Sequence, residues 1–275
     1  MGEMNSIPRP KVPRAKSISF FAGMGALACC YALLIVGMLV ADLGFTDFEQ
    51  IKSSLSDPAI QYAIKLSLLS CTLATLMSLI VAVPTGYLLA RCNFPGKWVL
   101  DALFDIPIVL PPLVVGLSLL ILFQTAFGQA FENTIFPVTF EIPSVVLAQF
   151  TVATSFAVRT MKVSFAQIDP RQEQVARTLG CSRAQAFFRV VLPESKQGLL
   201  AAGTLAWARS LGEFGPILVF SGATRMKTEV LPSTVFLELS NGNLEAALAV
   251  SLLMVFAAVL VLSAARFFGL RGSQF

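Results

Sequence analysis

Histidine is absent from this chain, and charge is scarce: Asp, Glu, Lys and Arg make up 13% of its 275 residues. A soluble domain carries about 25% charged residues, because its surface must face water. Half that supply cannot solvate a globule of this size, so neither an ordinary cytosolic enzyme nor a disordered tail fits. The five cysteines, Cys29, Cys30, Cys71, Cys92 and Cys181, show no C-x-x-C spacing and suggest neither a disulfide scaffold nor a metal centre. With no histidine and no carboxylate cluster at ligand spacing, metal chemistry lacks ligands, and a serine nucleophile lacks its usual base. The phosphate-cradling pattern G-x-x-x-x-G-K-S/T is missing too, so P-loop nucleotide chemistry is not expected of this chain.

Apolar residues are what the chain has in abundance, at 56% of its length and a mean hydropathy of +0.76. A membrane-crossing helix needs roughly 20 apolar residues, each rising about 1.5 Å against about 30 Å of hydrocarbon. Six segments qualify, near 18–41, 62–90, 107–127, 143–165, 197–220 and 245–268. The expectation is an all-α polytopic membrane protein of six spans. It comprises a polar tail over 1–16 and a single transmembrane domain over 17–275. The first segment exceeds a signal-peptide core in length and lacks a small-x-small cleavage site, so it reads as a retained span.

Placement of the few charges predicts orientation. Fifteen of the 20 Lys and Arg residues fall on one side: four near the amino terminus, Arg91 and Lys97, seven between Arg159 and Lys196, then Arg266 and Arg271. Only Lys52, Arg225 and Lys227 fall on the other. The basic side is expected to be cytoplasmic, which puts both termini inside and requires an even number of spans. The same bias accounts for the net charge of +4 without invoking nucleic acid.

Breaks and caps mark the local structure. Asp101 to Asp105 followed by Pro107, Pro111 and Pro112 predicts a short helix that breaks before entering the membrane, since proline removes a donor and clashes with the preceding turn. In the loop 166–196, Asp169 can cap a helix starting at Pro170, with Gln172 at its third position, and Gly180 can end it. Ser182 can cap a second helix with Gln185 three residues on, and Pro193 can close it. The result is two short helices meeting at Gly180, with apolar faces from Val175, Ala176, Leu179, Ala186, Phe187, Val190 and Val191. Such a pair either packs on the protein's own spans or docks a partner.

Here the sequence resembles permease subunits of binding-protein-dependent ABC importers, whose cytoplasmic loop carries the pattern E-A-A-x3-G-x9-I-x-L-P. Gln174-Val175-Ala176, Gly180 and Val190-Val191-Leu192-Pro193 reproduce its spacing, with Gln for the leading Glu, Val for the first Ala and Val for Ile. Glu173 lies one position early and can stand in for the missing glutamate. A second stretch, Ala208-Arg209-Ser210-Leu211-Gly212-Glu213-Phe214-Gly215, resembles the fifth span of the molybdate, tungstate and sulfate branch. Pro111-Pro112-x-Val-x-Gly116 and Leu231-Pro232 are similar to that branch too, so the resemblance covers about 60–268.

The resemblance implies an inner-membrane permease that works in a dimer, with a second copy or a homologous chain. Cytoplasmic ATPase subunits would hold the ATP and Mg, this chain holding no cofactor. An external binding protein would deliver a tetrahedral oxyanion, molybdate or tungstate ahead of sulfate or thiosulfate. Glu173, Gln174, Ala176, Gly180, Leu192 and Pro193 would then couple the loop to the ATPase. Arg209, Gly212, Glu213 and Gly215 would form a gate or line the pathway.

Physics leaves the last group open. Arg209 and Glu213 lie roughly 18 and 24 Å into the fifth segment, where an ionisable group costs about 2.5–3.5 kcal/mol and must face protein or water. Their i,i+4 spacing predicts one helix face and mutual neutralisation. A structural ion pair and a gate both follow, with Gly212 and Gly215 permitting close helix approach. The hydroxyls of Ser118, Ser155, Thr204 and Ser210 are further donors for an oxyanion, and none is singled out by position. The competing functional class is an ion-coupled secondary transporter. It would need a midplane coupling residue and usually an internal repeat, of which none is evident.

Overall fold

The computed structural model describes residues 14–45 and 48–271, and every regular element among them is helical. In chain order these are α1 (Arg14–Phe45), α2 (Phe48–Ser56), α3 (Pro58–Arg91), α4 (Lys97–Val109), α5 (Pro112–Gln124), α6 (Ala126–Thr134) and α7 (Ile142–Gln167). There follow α8 (Pro170–Thr178), α9 (Arg183–Ala186), a π-helical turn over Phe187–Val191, and α10 (Leu192–Glu194). The chain closes with α11 (Lys196–Leu211), α12 (Gly215–Phe220), α13 (Leu231–Ser240) and α14 (Leu244–Arg271). Helix α1 belongs to one compact unit and the helices from α2 onward to another. The polar tail expected over 1–16 lies almost wholly outside the described residues.

Four of these helices are long and apolar enough to cross a membrane: Phe20–Phe45 within α1, α3, α7, and Leu244–Ala264 within α14. A fifth span results if α4 and α5 are counted together, although the pair bends by 113°. Two of the six expected segments are interrupted, the third where its prolines predicted a break and the fifth without such a forecast. Segment 107–127 is broken where Pro111 and Pro112 remove consecutive amide donors, with Leu110 and Pro111 in extended conformation. Segment 197–220 is split into the 16-residue α11 and the six-residue α12 by the non-helical stretch Gly212–Phe214. Pro84, by contrast, sits inside α3, and the helix continues through it.

The second unit is organised around α3 and α7, which pack along their lengths, with α11 laid against both. Their contact faces are built from small residues: Ala63, Ala74, Ala82, Ala153, Ala157, Ala202 and Ala206 are all fully buried. Lipid tails are as apolar as leucine, so helix association in a bilayer rests on close van der Waals contact, which small side chains permit. Gly86 shows the limit of this approach, since a Cβ there would lie 2.8 Å from Met161 Cβ and 2.9 Å from the Lys162 amide nitrogen. At the end nearest the 166–196 loop, Leu89, Met161, Phe165 and Val191 close one hydrophobic cluster. At the opposite end Val138, Val145, Ile217, Phe220 and Val230 close another.

Short polar devices hold the connections. Asp57 caps α3 by accepting from the Ala59 amide at 2.8 Å. The turn after α6 is tied by Glu132, which accepts from the amides of Val138 and Thr139. Desolvation works against that carboxylate, but the amides of Thr139 and Val138 outweigh it and hold Glu132 below the usual carboxylate range.

Candidate functional site

Two regions carry the residues singled out by sequence, and the first is the loop between α7 and α11. Asp169 caps α8 by accepting from the Arg171 amide at 2.9 Å, without a reciprocal bond from Gln172. The full capping box forms one helix later: Ser182 Oγ accepts from the Gln185 amide, and Gln185 Oε1 accepts from the Ser182 amide. Between them Gly180 has φ of +92°, and its amide donates to the Arg177 carbonyl at 3.1 Å. The Cys181 amide donates to the Ala176 carbonyl at 3.1 Å, so α8 ends in a Schellman motif.

The second helix of the loop is longer than expected. Instead of closing at Pro193, it widens into the π-turn and runs on through α10 to Ser195. The Leu192 amide reaches back five residues to the Phe187 carbonyl. Proline at 193 cannot donate and would crowd the carbonyl four residues back, and a widened turn relieves that crowding.

Burial sorts the loop into two faces. Ala176, Ala186 and Val191 turn inward, whereas Gln174, Val175, Leu179 and Phe188 face outward, Leu179 being 80% exposed. Gly180 is open, with no atom of the described residues within 4 Å of a would-be Cβ. The packing reading of this helix pair thus holds for one face, and the other face is exposed.

Glu173 belongs to the packed face. It accepts a hydrogen bond from the Tyr87 hydroxyl of α3 at 2.7 Å, and the Tyr87 ring meets Phe187 at 4.7 Å and Phe165 at 5.7 Å. Arg91 donates from Nη2 to the Ile168 carbonyl at 2.6 Å. Glu173 therefore straps the loop to α3, leaving Gln174 as the outward polar group. Tyr87 and Arg91 were missed in the sequence, because 86 and 77 residues separate them from their partners. Tyr87→Phe is expected to loosen α8 by about 1 kcal/mol. Faster amide exchange confined to 170–178 is the readout, and unchanged exchange there would show that the aromatic packing alone holds the loop.

The second region is the break between α11 and α12. Arg209 lies in the last turn of α11, and its Nη1 stands 2.7 Å from Glu213 Oε2. Glu213 is only 1% exposed, yet it lies beyond the helix end, so the expectation of one shared helix face is corrected. The ion pair instead bridges the break. Among the described residues Oε2 has no aligned hydrogen-bond donor, so the attraction of unlike charges carries this contact. The guanidinium also stands 5.7 Å above the Phe156 ring.

Around the break lies a buried polar seam. Gln149 of α7 donates to the Ser210 carbonyl at 3.3 Å, while its own Oε1 and the Ser210 hydroxyl have no hydrogen-bond partner among the described residues. Gln149 was not anticipated, since one glutamine within an apolar run carries no periodic signal.

The glycines divide. A Cβ at Gly212 would meet nothing nearer than 3.8 Å, so no neighbour requires glycine there. A Cβ at Gly215 would lie 2.8 Å from Pro112 Cβ and 3.0 Å from the Leu113 amide nitrogen. Reciprocally, a Cβ at Gly116 would lie 2.7 Å from Pro216 Cα. The two broken segments therefore meet break to break, each contributing a glycine where the other has a proline.

Comparison with known proteins agrees with this architecture. Residues 82–271 match the family described as binding-protein-dependent transport system inner membrane component. The sulfate transport system permease protein CysT of Salmonella typhimurium is 33% identical over 85% of this chain and 85% of its own length. The molybdate/tungstate permease WtpB of Pyrococcus abyssi is 32% identical over 75% of this chain and 78% of its own. The molybdenum permease ModB of Escherichia coli is 38% identical over 66% and 80%. Among solved structures, a bacterial alginate ABC importer superposes with a TM-score of 0.72 at 15% identity, covering 94% of this chain and 98% of the other. A methionine ABC transporter gives 0.63 at 16%, covering 77% and 95%. These two likenesses show the fold, and the sequence relatives show the lineage. The chain belongs to the inner-membrane components of binding-protein-dependent transport systems, and is a multi-pass permease subunit of an ABC importer, not an enzyme.

Proposed function

We propose that this permease carries a tetrahedral oxyanion dianion of the molybdate, tungstate and sulfate class, delivered by an external binding protein and driven by ATPase subunits on the cytoplasmic side. The single observation that carries the substrate class is the 32–38% identity to permeases of those systems over 66–85% of the chain. In this reading the chain crosses the membrane six times, the two broken segments each counting as a span, with both termini inside. It pairs with a second permease, and ATP and Mg reside on the ATPase.

The outward face of Gln174, Val175, Leu179 and Phe188 supports a docking role for the loop. It presents apolar surface on a doubly capped frame at a point that no described residue covers. Ala176, Gly180, Leu192 and Pro193 shape that frame, and Glu173 holds it to α3. Arg209 and Glu213, set where a span is interrupted, are suited to a gate because a broken helix can re-pair its charges without unwinding a turn. Glu213→Gln is expected to change basal ATPase activity or uptake in the assembled transporter. Unaltered values for both, in a normally folded protein, would leave a purely structural ion pair.

Reconstitution with the ATPase subunit and the binding protein tests the whole reading. ATPase stimulation and uptake should respond to molybdate, tungstate or sulfate. Transport that survives loss of ATP but collapses with the proton gradient would establish an ion-coupled mechanism instead.

A further inference from the structure

A small polar pocket of about 150 Å3 lies between α4 and the last turns of α7, at the same end of the molecule as the docking loop. Two acid–base pairs frame it. Lys162 Nζ lies 2.6 and 2.7 Å from the two carboxylate oxygens of Asp101, and Arg159 Nη1 lies 3.6 Å from Asp105. Ser155, 2% exposed, lines the same pocket, and its hydroxyl makes no hydrogen bond among the described residues. The arrangement holds two cations, one idle hydroxyl and room for several waters.

We infer that Arg159, Lys162 and Ser155 form a release-side subsite for the transported oxyanion, with Asp101 and Asp105 as built-in competitors that keep its affinity low. This rests on the oxyanion reading above. A conduit fed by a high-affinity binding protein needs sites that attract the ion yet let it go. Two bare cations facing a dianion would hold it too well. Two carboxylates already in place make the pocket neutral, so an entering anion exchanges with them instead of adding to a bare charge. The exchange is cheap because all four groups are partly exposed, with side-chain exposures from 33 to 64%, and water screens such pairs. Arg159 offers a planar fork to two anion oxygens, Lys162 a point charge, and Ser155 a single neutral donor.

The geometry assigns opposite signs to the two halves of the site, which a purely structural latch between α4 and α7 does not. The test uses the permease assembled with its ATPase subunit, in nucleotide-free form, with radiolabelled sulfate and molybdate as probes. Lys162→Gln and Arg159→Gln should weaken retention of the anion by about tenfold, and Asp101→Asn and Asp105→Asn should strengthen it by a similar factor while slowing turnover. Ser155→Ala, a mild change, should weaken retention without altering the melting temperature. Parallel effects of the acidic and basic substitutions, or no effect of any, would overturn the subsite and leave a latch. Failure of the unsubstituted transporter to take up either anion would instead overturn the substrate reading, and the two failures are told apart by that control.

Discussion

Gly180→Pro should abolish coupled transport while leaving the membrane core folded. The glycine sits at φ of +92°, a region that proline, locked near −65°, cannot enter. Its amide also donates to the Arg177 carbonyl, and that bond is lost together with the turn. No described residue lies within 4 Å of a Cβ at this position, so the damage is confined to the backbone and does not spread by crowding. A graded series follows from the same geometry. Gly180→Ala should cost about 1–2 kcal/mol, the ordinary penalty for an L-residue in left-handed backbone. Gly180→Asn, which tolerates that region, should retain most activity. Uptake and ATPase binding by the assembled transporter are the measurements. For the proline variant a fall of more than about tenfold is expected, equivalent to a docking loss above 1.4 kcal/mol. Full coupling in that variant would show that the bend between α8 and α9 plays no part in engaging the ATPase.

Gly116→Ala and Gly215→Ala should each destabilise the folded permease. The new Cβ would fall 2.7 Å from Pro216 Cα and 2.8 Å from its carbonyl oxygen in one case, and 2.8 Å from Pro112 Cβ in the other. No side-chain rotation relieves contacts with backbone and a proline ring, so α5 and α12 must move apart. Overpacking of this kind costs about 1–3 kcal/mol, and the two substitutions share one seam, so their combined effect should fall short of the sum. The measurement is the apparent melting temperature of the purified protein in detergent, alongside its abundance in the membrane. Unchanged melting for both single variants would mean that the breaks do not rest on each other.

Features encoded within a few residues were legible in the sequence. Asp169, Gly180, and the Ser182–Gln185 pair act on their own neighbours, so their type and spacing suffice to locate helix ends. Pro111-Pro112 announced its break for the same reason. The split of the fifth segment was less visible, because apolar residues continue on both sides of Gly212 and a hydropathy window averages across the gap. Its signal was Gly215-Pro216, a proline able to start a new helix but unable to sit inside an old one. Contacts distant in sequence were out of reach. Tyr87 with Glu173, Lys162 with Asp101, and Gly116 with Pro216 depend on how spans are laid side by side, which local propensity does not encode. Exposure also decided what spacing left open: Gln174 and Glu173 are adjacent, and only the position of α3 determines which one turns inward.

The π-turn has a mechanical side. From Arg183 to Leu211 the backbone leaves helical form at Ser195 alone, and that residue is buried, with its hydroxyl bonded to the Leu192 carbonyl at 2.9 Å. Phe188, exposed on the outer face, and Arg209, at the interrupted span, are thus the two ends of a linkage with a single articulation. In any linkage the stroke that arrives is the stroke applied, less what each joint absorbs. A displacement imposed at Phe188 has one joint in which to dissipate, and the stiffness of the turn at Ser195 sets how much of it reaches Arg209.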